Sequence, residues 1–225
     1  MPKRLAIWVF LQHLLLVGMF ASGVTFSFSE KVTYFQSPDP DLDFQIGDTF
    51  SGTFTFDSSA SSTPVTGDST ISVAYLSAVT SWNVAFPRLG LAFKGVTGEI
   101  DIGNDTPYYL SDRYVVTLYT QGASNPLFAS GRSLKYVQID LFDLESVSNP
   151  TPADLLSSTL LPLTPPDLSL ITPATQGSAT GHVHFNEGNN QLQTAMTGLN
   201  AAPEPSAMLC VFCGLGVLLT RRGRR

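Results

Sequence analysis

The chain has 225 residues, of which 43% are hydrophobic, 11% aromatic and only 13% charged, with a formal net charge of −6. Between residues 24 and 202 the imbalance sharpens to 17 acidic against 6 basic residues, a net −11. A surface so short of lysine and arginine argues against nucleic-acid binding, which relies on those side chains to neutralise phosphates, and against adsorption to anionic lipid.

The N-terminus has the layout of a secretory signal peptide. Lys3 and Arg4 form a basic start, Leu5 to Phe20 is apolar except for Gln12 and His13, and Ala21-Ser22-Gly23 supplies small residues for cleavage. Residues 1–23 are expected to be removed by signal peptidase, and His13 with them. Residues 24–201 are then one β-rich exported domain, long enough to bury a sizeable core.

Within that domain the apolar period is two, the period of a half-buried strand. From Thr49 to Asp57, Phe50, Phe54 and Phe56 share one face with Gly52, while threonines and Ser51 share the other. Gly52 reads as a place where an aromatic from the facing sheet lies over the backbone, or as a bend. Ile71 to Tyr75 and Trp82 to Phe86 repeat the alternation. Between Leu89 and Ile102 the phase changes: Leu91 and Phe93 lie on one parity, Val96, Ile100 and Ile102 on the other, with Gly95 and Gly98 positioned to make the switch. Tyr114–Thr120 and Lys135–Leu141 are two more strands.

The Pro-rich stretch from Asn149 to Pro173 is read as a short helix over Asp154–Leu161, followed by edge strands or a covering loop, with Asp167–Ile171 docking on the core. The last hairpin alternates Gly181, Val183 and Phe185 against His182 and His184. It turns at Glu187–Asn190 and returns through Leu192, Thr194 and Met196. Seven to ten short strands separated by turns predict an all-β fold, a two-layer antiparallel β-sandwich of jelly-roll or immunoglobulin type. A β-barrel is the runner-up.

The chain closes with Pro203-Glu204-Pro205, an apolar run from Ala207 to Leu219, and Arg221, Arg222, Arg224 and Arg225. The run is read as a short transmembrane segment with a basic cytoplasmic stop. Both cysteines, Cys210 and Cys213, fall inside it, which leaves the exported domain without a disulfide.

In that order these three parts resemble the PEP-CTERM sorting signal of Gram-negative bacteria, here over residues 202–225. The resemblance implies recognition and removal by an exosortase-type enzyme in cells that make extracellular polysaccharide. It implies export through the inner membrane, transient anchoring by the C-terminus, and a final place at the cell surface or in the matrix. It names no activity. Gly47–Asp57 and Leu161–Leu170 are also similar to segments of bacterial exported proteins with this tail, again without an assigned chemistry.

Candidate site residues are few. His182 and His184 stand at i and i+2 on one strand face, where both rings could reach one ion, with Glu187 beyond them. Calcium, which takes oxygen ligands, would suit Asp39, Asp41 and Asp43, which alternate, or Asp101, Asn104 and Asp105 around Gly103. No other cofactor is expected. Trp82, Tyr108, Tyr109 and Tyr119 are the candidate glycan contacts. No Gly-x-Ser-x-Gly elbow occurs. The expectation is a non-catalytic envelope or matrix protein associated with exopolysaccharide. The alternatives are a secreted glycan-active enzyme and a calcium-dependent adhesion module.

Overall fold

The computed structural model describes residues 23–35, 43–65, 71–106, 111–120, 125–144, 155–171, 177–186 and 191–202. They form eleven strands: β1 Gly23–Phe35, β2 Thr49–Asp57, β3 Thr63–Pro64, β4 Ser72–Tyr75, β5 Val79–Phe86, β6 Leu91–Gly95, β7 Thr97–Thr106, β8 Ser111–Tyr119, β9 Leu134–Leu144, β10 Ser178–Phe185 and β11 Gln191–Ala201. Short 3-10 turns occupy Pro87–Leu89 and Leu168–Leu170.

All eleven strands belong to one sheet, in the order β3-β4-β7-β8-β9-β10-β11-β1-β2-β5-β6, with every neighbouring pair antiparallel. This corrects the expected two-layer sandwich: a single curved sheet rolls into an open half-barrel. The runner-up barrel is not reached either, because no ladder joins the edge strands β3 and β6 among the described residues. Several strands are long, with 13 residues in β1 and 11 each in β9 and β11. Register shifts at Ser29/Glu30, Val32/Tyr34, Thr55/Phe56, Gly103/Thr106 and His184/Phe185 bend them. A bulge adds local twist and kinks its strand, so one long sheet curls around its own inner face and needs no second layer.

The inner face is the core. β1 contributes Phe26, Phe28 and Val32, β2 contributes Phe50, Phe54 and Phe56, and β7 to β9 contribute Ile100, Ile102, Tyr114, Leu118, Val137, Ile139 and Leu141, all buried. Aromatic rings meet edge to face at 5.7 Å (Phe26–Phe54), 5.3 Å (Phe26–Phe56) and 5.7 Å (Phe86–Phe93). Such geometry adds about 0.5–1.5 kcal/mol per pair to the area buried. At Gly52 a Cβ would lie 2.7 Å from the Phe28 ring. The aromatic over this glycine therefore comes from the neighbouring strand of the same sheet and not from a facing one.

The phase change in the middle of the chain is a corner. Val96, 68% exposed, is the one residue between β6 and β7, and it stands outside the core face expected for it. β6 is an edge strand and β7 lies far along the sheet. Trp82 of β5 spans the resulting gap, its indole N–H donating to Thr97 O at 3.1 Å and Tyr119 O at 3.2 Å. Gly95 leaves room for it, since a Cβ there would lie 2.5 Å from the indole. At the other side of β6, the Asn125 side chain acts as a strand partner. Its Oδ1 accepts the Lys94 N–H at 3.0 Å and its Nδ2 donates to Lys94 O at 3.1 Å.

Residues 155–164 are irregular, so no helix forms over the described part of 154–161. The segment is a cover, with Leu155, Leu156 and Leu161 buried in the core. The Tyr75 hydroxyl donates to Thr159 O at 2.9 Å and Asp112 Oδ2 accepts the Leu156 N–H at 2.8 Å. Leu168 and Ile171 pack against the core, as the docking of Asp167–Ile171 requires.

The transmembrane expectation is corrected too. Among the described residues no helix is long and apolar enough to cross a membrane, and Ala207–Leu219, for which it was made, lies outside them. Thirteen residues at 1.5 Å each would cover about 20 Å of a hydrocarbon layer roughly 30 Å thick.

Candidate functional site

The outer face of β7 to β11 carries the densest set of polar and aromatic side chains. Register places them in rows across the strands. One row runs Thr97, Tyr119, Tyr136, His184, Gln191, and the next runs Glu99, Thr117, Gln138, His182, Gln193. A third runs Asp101, Val115, Asp140, Thr180, and a fourth Arg113, Phe142, Ser178. Alternation makes this unavoidable: while Ile100, Leu118, Val137 and Val183 turn inward, their neighbours share the other surface.

The first row is aromatic. Tyr119 and Tyr136 meet at 6.1 Å, and Tyr136 stacks on His184 at 4.1 Å. The Tyr119 hydroxyl donates to Glu99 at 2.5 Å, and its pKa is raised by burial first and by that carboxylate second. His184 is pushed down to about 4, by desolvation first and then by His182 and Lys135. His182 is lowered by burial, with Asp140 opposing. Both imidazoles are therefore neutral at neutral pH.

The third and fourth rows line a groove of about 780 Å³ that includes Asp101, Arg113, Val115, Asp140 and Phe142. Arg113 grips Asp140 with both arms, Nη2 at 2.7 Å and Nε at 3.2 Å. Asp101 is raised above the usual carboxylate range, by burial first and then by Glu99, with Arg113 opposing. Asp101 and Asp140 flank Val115, so their backbones lie two strand spacings apart, about 10 Å.

The candidate residues divide clearly. His182 and His184 lie side by side with ring centroids 6.1 Å apart, on an interior strand of the sheet instead of an edge. Glu187 lies outside the described residues, as do Tyr108, Tyr109, Asp39, Asp41, Pro203, Glu204, Pro205 and the four terminal arginines. Trp82 is 3% exposed and belongs to the core. Asp43 is buried and accepts the backbone N–H and hydroxyl of Ser130, which ties its loop to a turn. Asp101 faces outward, while Asn104 and Asp105 sit in the β7 bulge. Among the described residues no three His, Cys, Asp or Glu side chains gather around a metal.

Of the residues in these rows, Tyr119 is a candidate from sequence, whereas Tyr136, Gln138 and Asp140 are not. Each was visible as the polar or aromatic member of an alternating strand, but their grouping depends on which strands are neighbours. Comparison with family models, curated proteins and solved structures found no match.

Proposed function

We propose that the chain is an exported, non-catalytic module that associates with extracellular polysaccharide through the outer face of β7 to β10. The observation that carries this reading is the row Tyr119–Tyr136–His184 beside Glu99, Gln138 and His182. Sugars present apolar C–H faces that rest on aromatic rings, and hydroxyl edges that planar amides, carboxylates and neutral imidazoles can bind. Export and sorting rest on the signal-like N-terminus and on the resemblance of residues 202–225 to an exosortase substrate. Signal peptidase and that enzyme are the processing partners, and the destination is the cell surface or matrix.

One observation favours a second reading, a glycan-active enzyme. Asp101, with its raised pKa, and Asp140, held by Arg113, share a groove at a spacing compatible with paired carboxylate chemistry. A single experiment separates the two. Folded protein is titrated with the host's extracellular polysaccharide while reducing ends are followed over hours. Saturable binding without product, weakened about tenfold or more by Tyr136→Ala but not by Ser51→Ala, supports the module. Product release abolished by Asp101→Asn supports the enzyme. If neither binding nor product is seen, the polysaccharide association is overturned.

A further inference from the structure

Asp112 of β8 and Asp143 of β9 are direct partners across the ladder. Both are buried, at 3% and 1% exposure. Opposed residues of an antiparallel pair carry Cβ atoms about 4.5–5.5 Å apart on the same side, so two carboxyl groups share one interior space. This end of the half-barrel is closed by the 155–171 cover, and Asp112 Oδ2 accepts the Leu156 N–H from it.

Asp143 is in a different position. Both of its carboxylate oxygens are buried and neither has a hydrogen-bond partner. Among the described residues the ion pairs are Arg88–Asp48 and Arg113–Asp140, and no basic side chain of that set pairs with Asp143. A buried charge without hydrogen bonds or a counter-ion is heavily penalised, and a second carboxylate directly opposite increases the penalty. Such a pair is made stable by something positive lying between its members.

A third oxygen donor stands beside them. The β7–β8 register slips between Gly103/Arg113 and Thr106/Ser111, so Asn104 and Asp105 together oppose Asp112. Asn104 keeps the parity of Ile100 and Ile102, which face the core, and its side-chain oxygen is buried. Bulges free backbone groups from the ladder, which supplies carbonyl oxygens at the same place.

We infer that Asp112, Asp143 and Asn104 form a binding site for a calcium-class divalent cation inside this end of the half-barrel. All three donors are oxygens, the set a hard cation selects, and no thiolate or imidazole draws the site toward zinc. A bidentate Asp143, with Asp112 and Asn104, begins the six to eight ligands of calcium. Carbonyls and water complete a flexible shell that magnesium, with its rigid octahedron and tightly held waters, tolerates poorly. The site goes beyond the polysaccharide reading, since it lies on the opposite face of the sheet and does not depend on it.

The test is thermal unfolding of the purified full chain in EDTA and in calcium chloride. Millimolar calcium should raise the wild-type Tm by about 5 °C or more, as a ligand that binds only the folded state does. Asp143→Asn should melt higher than wild type in EDTA and no longer respond to calcium. Terbium should luminesce on excitation of tyrosine, and Tyr114→Phe should weaken that emission without removing the calcium response, because Tyr114 is two residues from Asp112 on the same face. A wild-type Tm unmoved by calcium overturns the site whatever the variants do.

Discussion

Glu30 and Gly181 occupy one space. The Glu30 side chain, fully buried on β1 among Phe26, Phe28 and Val32, extends over Gly181 of β10, where an added Cβ would collide with its carboxyl group. Thr194 of β11 lies between them in the sheet and donates its hydroxyl to Glu30 Oε2. Gly181→Ala should therefore cost about 1–3 kcal/mol by overpacking. In a Glu30→Ala background that cost should shrink, and a double-mutant cycle measured by denaturant unfolding would read the coupling.

The same carboxyl gives the protein a pH dependence. Burial pushes Glu30 up to about 8, with the Thr194 hydrogen bond opposing. The folded pKa lies above the unfolded one, so the folded state holds the proton more tightly. The contribution to stability is full below about pH 4.5 and is lost as pH rises through about 8. Glu30→Gln should flatten the stability profile across that window and be more stable than wild type at pH 8–9, by a few kcal/mol at about 1.4 kcal/mol per pH unit. Urea midpoints measured from pH 5 to pH 9 check both points.

His184 titrates in the opposite sense. Its pKa is depressed to about 4, so its contribution is present above the unfolded value of about 6.5 and is lost as pH falls through 4. A nuclear magnetic resonance titration of its ring protons should give a midpoint near 4. Tyr136→Ala, which removes the ring stacked on it at 4.1 Å, should move that midpoint upward by re-admitting water. An unchanged midpoint would mean that the stack is not what dries the imidazole.

Phe54 tests the inner face. It is fully buried between Phe26, Phe28 and Phe56, and Phe54→Ala should cost about 3–5 kcal/mol. Thr53 on the outer side accepts one exposed hydrogen bond from Asn83 at 2.7 Å, so Thr53→Ala should cost about 1 kcal/mol or less.

Much of the strand pattern could be read directly. Phe50, Phe54 and Phe56 in β2, and Gly181, Val183 and Phe185 in β10, stand on the buried parity that their alternation announces. β1 was missed, because it follows the signal-like segment and Glu30 interrupts Phe26, Phe28 and Val32 where a fourth apolar residue would have completed the pattern. The architecture is not legible for a different reason. Alternation identifies the inward side of each strand but does not say whether inward sides belong to two facing sheets or to one sheet curled on itself. The bulges that decide the matter, such as Asn104-Asp105 against Asp112, leave no mark in composition. The pairing of Asp112 with Asp143 was hidden likewise: 31 positions apart in the chain, they meet only through the β8–β9 register.

An open sheet, unlike a closed barrel, keeps two unfinished margins, and each is a template onto which another copy could add. β3 is two residues long and ends in Pro64, which has no N–H to offer. β6 is longer, and there Asn125 already occupies the donor and acceptor of Lys94. For a chain whose cysteines both lie in its last 23 residues, so that no cross-link guards the sheet, this amide stands between a monomer and a growing fibre. Asn125→Ala should leave the melting temperature nearly unchanged yet shorten the lag before thioflavin-positive polymer forms in concentrated solution.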